Sequence, residues 1–414
     1  MVLSPGAAQI PSQAAQAKGV GMRILISGAG IAGSAACSLL RAGGHDVAVI
    51  DRAPSFRRLG HLLSLKSFGV EVVRSMGLFA DLRWFAIPLR SLRVHDRSGR
   101  LLEICPEELW ESATRGSLFL LRSDLHRVLY AAASRAAPVR FGTRITAIDM
   151  AHGGARVTFS DGGAEDFDLV VIAEGVRSAT RELVFGPSAL RPFDLVYAAT
   201  MVEGQHPVPP GVLDVYLGPR TTVQLAPVDR ERLLVQCCFQ GVLEPDEDGR
   251  VRGLLLAACR RFPPAIGGLL ERLSDRGFLY RDRVGMVALP SLSRGCVVFL
   301  GDAGYCPTLH SGMGASLALL GARGLEIALR ENPGDVEAAL DRLEEIMRPA
   351  IFHYQQAAAE NVGLMLSRNP LLKRWRMRRM PSVVVARHLG HLREVSSALL
   401  RPFALPGVLT SPPP

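Results

Sequence analysis

Two glycine-rich segments, each with an acid nearby, are the parts of this sequence whose residue types and spacing could do chemistry. In the first, Gly28-Ala29-Gly30-Ile31-Ala32-Gly33 follows a short apolar run at 23–27, and Asp51 stands 18 residues beyond Gly33. Gly28 permits a tight strand-to-helix turn, Gly30 lets the backbone approach a pyrophosphate, and Gly33 allows close helix–strand packing. The helix that starts there offers unpaired N–H groups and a partial positive charge to phosphates. Asp51 suits ribose hydroxyls, and Arg52 beside it could stack on adenine. The pattern signals a dinucleotide, and by itself it does not separate NAD from FAD. In the second segment, Gly301-Asp302 follows an apolar run at 296–300. That puts a carboxylate at the C-terminal end of a strand, where ligands of open parallel sheets collect. The chain then passes through Tyr305, Pro307 and His310 into Gly312-Met313-Gly314-Ala315, a helix start whose free N–H groups and dipole favour negative charge.

The elements that must hold these residues follow from the hydrophobic pattern. A strand at 23–27, a helix at 31–41 and a strand at 47–50 make the opening β-α-β unit. Helices are expected at 64–76 and 123–136, the second with a Ser-Asp cap signal. The stretches 139–149 and 155–160 alternate like antiparallel strands around Gly153-Gly154, and 167–173 is a continuous apolar run, as in a buried parallel strand. From 193 to 239 the pattern changes to short strands rich in Val, Thr, Tyr and Gln, where a separate substrate sheet belongs. A buried strand at 296–300, a long helix from near Gly312 and helical periodicity over 335–366 complete the pattern. The nucleotide fold is therefore split over 22–90, 115–190 and 280–350. A β-rich substrate domain takes 91–114 and 191–279, a disordered leader 1–21, and C-terminal helices with a basic tail 351–414.

Over roughly residues 22–352 these segments resemble the group A flavoprotein monooxygenases, the para-hydroxybenzoate hydroxylase type that includes the tetracycline-modifying enzymes. The resemblance rests on the Gly28/Gly30/Gly33 loop, Arg122-Ser-Asp-Leu125, Asp168 to Ser178 and the Gly301-Asp302 segment. It implies an α/β fold: a split Rossmann-like FAD-binding domain of the glutathione-reductase type, an inserted β-rich substrate domain and a C-terminal helical region. It implies FAD as cofactor and NAD(P)H as cosubstrate, with the flavin ring over Gly312 to Ala315, Arg122 on its flavin side, and Glu174-Gly175 near the pyrophosphate. It implies hydroxylation by O2 through a flavin C4a-hydroperoxide, on an aromatic or polyketide-like molecule of bacterial secondary metabolism. An epoxidase, or a reductase or dehydrogenase of an unsaturated lipophilic substrate, is the alternative on the same fold. The sequence departs from the family at Glu174 (usually Asp), Gly304-Tyr305 (commonly Ala-His), Ser316 (often Asn) and Leu309-His310, where a second proline is missing. The candidate catalytic base is His310, with His206 and Arg220 behind it. The candidate substrate contacts are Tyr216, Gln224, Gln236, Tyr305 and Pro307.

Composition narrows the remaining classes. Hydrophobic residues at 48% and charged residues at 21% are an ordinary globular balance. No apolar run approaches the length of a membrane-spanning helix. Seven cysteines without paired spacing suggest free thiols in a reducing cytoplasm, with no metal site. A net charge of +9 would suit nucleic acid, yet only three residues are lysine (18, 66 and 373), and eight of the nine net charges fall within 368–401. No nucleic-acid partner is expected. The basic segment could make peripheral membrane contact, and the protein would be a monomer or homodimer.

Overall fold

The central strand β1 (Arg23–Ser27) carries Ile24, Leu25 and Ile26 at 0% exposure, because apolar layers cover both of its faces. The structure is a computed structural model. It describes residues 21–56, 60–151, 153–218, 221–241 and 279–366, with parts of 253–269. The leader expected at 1–21 lies outside the described residues except for Gly21, and so does the basic tail beyond 366.

β1 sits in a six-stranded sheet of order β17-β18-β11-β1-β2-β7. Its other members are β2 (Asp46–Asp51), β7 (Val139–Phe141), β11 (Leu169–Ile172), β17 (Ser293–Arg294) and β18 (Val297–Phe299). All neighbours are parallel except β17, which pairs antiparallel with β18. The helices Ile31–Ala42, Arg122–Ala136 and Gly314–Glu331 bury their apolar residues on one face. A three-stranded antiparallel sheet, β8 (Ile145–Ala151), β9 (Gly154–Phe159) and β10 (Ala164–Phe167), covers the other. The run at 139–149 is thus two strands with different partners. The run at 167–173 is likewise divided at Asp168, whose Oδ2 accepts from the Arg23 N–H at 2.7 Å. At 64–76 a strand precedes the helix: β3 (Leu62–Leu65) pairs antiparallel with β6 (Leu118–Leu121) before the helix Ser67–Ser75.

The second large sheet has seven strands in the order β16-β12-β15-β14-β13-β4-β5. They are β4 (Ser91–Asp96), β5 (Leu101–Cys105), β12 (Leu190–Glu203), β13 (Val212–Leu217), β14 (Thr221–Pro227), β15 (Arg232–Gln240) and β16 (Leu279–Val287). Strands from 91–114 and 191–279 meet here, but β16 continues to Val287, past the boundary at 280, since its register with β12 carries on to Leu190↔Val287. Side chains alternate between the two faces. Val196, Ala198, Val223 and Cys237 pack outward against Leu255, Phe262 and Ile266. Tyr197, Ala199, Cys238 and Val284 face the other way and pack against Ala358 and Val362 of the helix Val336–Leu366.

Tyr305 is fully buried in the core beside the parallel sheet, not at a substrate surface. Its ring fills the space over Gly321, where an added Cβ would lie 1.8 Å from Tyr Oη. Gly321→Ala should therefore cost about 1–3 kcal/mol through overpacking. The Tyr305→Phe background should recover much of that loss in a urea-denaturation double-mutant cycle, since the hydroxyl makes the closest contact.

Candidate active site

The first glycine loop leaves room for a ligand where the fold itself needs none. Gly28 has φ +106°, and a Cβ there would meet the Ala173 carbonyl oxygen at 2.4 Å. At Gly33 a Cβ would come within 1.8 Å of the Gly28 oxygen, so the chain closes on itself at both positions. At Gly30 nothing lies within 4 Å of a Cβ. The space above it faces the uncapped start of the helix Ile31–Ala42, the surroundings a pyrophosphate requires. The Asp51 carboxylate is held by the N–H groups of Ala29 and Ala53, both at 2.8 Å. His126 binds the Ala29 carbonyl through Nε2 at 2.7 Å, and its ring lies 4.7 Å from that of Phe56. Burial pushes the His126 imidazole below its ordinary range. Arg52 is exposed at the rim.

Glu174 has another task than the expected cofactor contact. Its carboxylate accepts from Ser27 Oγ at 2.6 Å, Ser178 Oγ at 2.7 Å, Thr180 Oγ1 at 2.6 Å and the Thr180 N–H at 3.2 Å. Four donors occupy the lone pairs that a ribose or phosphate-bound water would need. Glu174 is thus a tie between the ends of β1 and β11 and the start of the helix Ala179–Phe185. The buried Arg181 donates to the Val176 carbonyl at 2.7 Å and the Ala303 carbonyl at 3.1 Å. It connects this turn to the Gly301-Asp302 loop, and Gly175 sits in the turn with φ +79°.

At the second segment Asp302 opens the single helical turn Asp302–Tyr305, and Gly301 approaches Ala32 so closely that a Cβ would be 3.0 Å from the Ala32 methyl. That contact brings the two distant glycine segments together. The helix Gly314–Glu331 starts without a side-chain cap, while the Met313 N–H is taken by Ser311 Oγ at 3.0 Å. Gly314 and Ala315 therefore begin an open helix terminus, and the Met313 side chain belongs to the core. Pro307 is buried, and Thr308 after it holds φ +75°, a strained conformation for a β-branched residue. His310 lies in the turn Leu309–Ser311, and its side chain is outside the described residues.

Arg122 is the charge around which the site is arranged. It opposes the burial that pushes the Asp302 carboxyl up, and it lowers the neighbouring His61 imidazole further. Asp282 is likewise raised by burial and opposed by its ion pair with Arg177. His61, Tyr197 and Tyr280 form an aromatic cluster against these groups, with ring centroids 5.4 Å and 5.0 Å from His61. Burial first, and Arg122 second, take His61 down to about 3, and burial raises both tyrosines, so all three stay uncharged at neutral pH. His61 Nδ1 has neither a hydrogen-bond partner nor solvent. Burial also lowers Lys66, at the start of the helix Ser67–Ser75, to about 8.

Of the expected substrate contacts, Gln224 and Gln236 lie in one cross-strand row with Ala199 and Tyr280, on the face toward His61. Tyr216 pairs with Val223 in the alternate row and stacks on His95 at 4.5 Å. It therefore belongs to the opposite face and is corrected, as Tyr305 is. His206 binds the Asp229 carbonyl at 2.9 Å in the loops at the end of the sheet, and Arg220 is outside the described residues. The sequence reading missed His61, Tyr197, Tyr280 and Asp282. Their signal was a strand alternation that places Tyr280 and Asp282 on one face.

Comparison with known proteins agrees with this geometry. The FAD binding domain family matches residues 22–249, more than half of the chain. The FAD-dependent monooxygenase asL6 of Sarocladium schorii is 29% identical over 380 residues, covering 84% of this chain and 89% of that protein. Among solved structures, Klebsiella pneumoniae HpxO complexed with FAD and uric acid shares the fold with a TM-score of 0.79 at 24% identity, covering 89% of this chain and 96% of that one. The tetracycline destructase Tet(51) does so at 0.74 and 23%, covering 94% and 100%.

Two outcomes test the site. Gly30→Ala should leave the melting temperature of the FAD-free protein unchanged and weaken FAD affinity by roughly tenfold or more, read from quenching of flavin fluorescence. His61 binds its proton near pH 3 when folded and near 6.5 when unfolded, so between those values the unfolded chain holds the extra proton. Stability should fall as pH drops through that window, by up to about 1.4 kcal/mol per pH unit, and His61→Phe should flatten that slope in denaturation curves. The open cradle at Gly30, the carboxylates at Asp51 and Asp302 and the uncapped helix starts all fit FAD, and the chain belongs to the FAD binding domain family, within it to the group A flavoprotein monooxygenases, as an FAD-dependent oxidoreductase.

Proposed function

We propose that this protein uses NAD(P)H and O2 to hydroxylate an aromatic or polyketide-like small molecule. The observation that carries the reading is the convergence of Arg122, Asp302 and His61 with the inward face of the seven-stranded sheet. FAD, when bound, supplies electron transfer from the nicotinamide and activation of O2. The chain supplies everything around it. Gly28 to Gly33 and Asp51 would hold the nucleotide half, and Gly301-Asp302 with the open helix start at Gly314 and Ala315 would hold the flavin half. That helix start would favour negative charge on the part of the flavin held there. Tyr197, Ala199, Gln224, Gln236 and Tyr280 form a wall that would orient an aromatic ring and exclude water. The reading includes a place in bacterial secondary metabolism and a cytoplasmic location, and the second is supported by six described cysteines that are buried and form no disulfide.

The test is single-turnover and steady-state oxidation of NADPH and NADH by the FAD-loaded protein under 18O2, with hydroxylated aromatic ketones as probes. The expected result is faster flavin reduction with a bound probe and one labelled oxygen atom in the product per NAD(P)H in coupled turnover. Probe reduction with no O2 uptake would instead establish the reductase alternative.

A further inference from the structure

The polarity of one amide pair on the sheet wall is settled by a backbone group. The Leu62 N–H can only donate, and it meets Gln236 Oε1 at 2.6 Å. That fixes which end of the buried Gln236 amide is oxygen, an assignment often ambiguous for glutamine. Gln236 must then present Nε2 to Gln224, and it donates to Gln224 Oε1 at 2.9 Å. With its oxygen engaged by Gln236, the half-buried Gln224 is left with its NH2 group, which can only donate, for another partner. The relay begins on β3, two residues before Ser64 and next to His61, so it is anchored to the FAD-binding domain.

The groups around the relay share one property. His61, Tyr197 and Tyr280 are uncharged hydrogen-bonding aromatics. In the cross-strand rows of Gln224 and Tyr197 the charged residues among the described positions are all acids, Glu103 in the first row and Asp96 and Asp282 in the second, and Arg177 pairs with Asp282. Neither row carries a lysine or arginine that could receive a carboxylate. On the opposite face Arg93 and His95 are both engaged by Asp214, behind the sheet.

We propose that Gln224 is a specificity-determining residue whose amide N–H receives a ring carbonyl of an uncharged, hydroxyl-bearing substrate, on a wall that discriminates against carboxylates. The proposal rests on reading this face as the substrate wall and goes beyond it by naming the recognised chemistry. A donor held in place by a relay penalises a ligand that leaves it unpaired, because the buried group then loses both water and partner.

Isothermal titration of the FAD-loaded protein with three matched probes tests it without requiring turnover. 6-Hydroxychromone carries the carbonyl, 6-hydroxychroman lacks it, and 6-hydroxychromone-2-carboxylate adds a charge. The expected order is tightest binding for 6-hydroxychromone, with each of the others weaker by roughly tenfold or more. Gln224→Leu should abolish the preference for chromone over chroman. Gln236→Met, which frees Gln224 to turn its oxygen outward, should reduce it, with melting temperatures confirming that both variants fold. The carboxylate binding as tightly as the neutral chromone, a preference surviving Gln224→Leu, or no binding of 6-hydroxychromone would each overturn the proposal. Labelled oxygen entering a carboxylate probe would overturn it while leaving hydroxylation intact. Neutral-probe selectivity without oxygen transfer would do the reverse.

Discussion

The carboxylate of Glu174 is the constraint on which the rest of the site depends. Three loops leave the C-terminal edge of the parallel sheet, after β1, β11 and β18, and each must stop at a height that leaves a groove between them. Glu174 joins the first two by taking hydrogen bonds from Ser27 on one side and from Ser178 and Thr180 on the other. Arg181 then reaches from the same turn to the Ala303 carbonyl. Hydrogen bonds to a charged group are stronger than neutral ones, and those to Glu174 are partly buried. The groove is consequently formed by protein contacts alone, and the groups that point into it, Gly30 and the helix start at Gly314, remain available. Such preorganisation lowers the entropic cost of holding a long, flexible dinucleotide.

Burial and charge divide the site into two environments. Asp302 in the second glycine segment and Asp282 on β16 are carboxylates partly withdrawn from water, each opposed by an arginine, Arg122 or Arg177. Removing either arginine would leave a buried carboxylate uncompensated, which proteins avoid by protonating it. Around Gln224 and Gln236 the polar groups His61, Tyr197 and Tyr280 are neutral, and burial keeps them so. Arg122 acts on both sides: the field that steadies Asp302 also discourages a proton on His61. The same positive charge therefore favours the anionic form of Asp302 and the neutral form of His61.

Much of the cradle was legible in the sequence because its determinants are short-range. A turn at Gly28, close packing at Gly33 and an acid at the end of the next strand follow from a few bonds of backbone geometry. The roles of Glu174, Tyr305 and Tyr216 depended on partners far along the chain. The donors to Glu174 include Ser27, 147 residues away, and nothing local distinguishes a carboxylate facing a ligand from one facing three hydroxyls. Tyr305 stands where a loop residue could line a pocket, but the absence of a side chain at Gly321 opens the core to it instead. The backbone at Thr308 was equally hidden, since a β-branched residue gives no signal for positive φ. For Tyr216 the deciding quantity was parity. In a strand, a shift of one residue exchanges the two faces, and only the register with Val223 shows which face it takes.

That parity also explains how one fold can keep its cofactor chemistry separate from its choice of substrate. The cradle is specified mainly by backbone positions and by the Glu174 and Arg181 ties, whereas the sheet wall is specified by every second side chain of β12, β14, β15 and β16. A substitution at Gln224 alters the wall without entering the parallel sheet or its loops. The two are joined by the Arg177–Asp282 ion pair, by the Val287 N–H donating to the Cys306 carbonyl, by the Leu62 N–H to Gln236, and by the packing of His61 against Tyr197 and Tyr280. Because the residue before β3 is also fixed by the Arg122 N–H donating to the His61 carbonyl at 2.8 Å, the amide relay starts from an anchored origin. A donor at the far end of such a relay is tied to the FAD-binding domain, so a carbonyl bound to it would be positioned relative to the flavin rather than to the sheet alone.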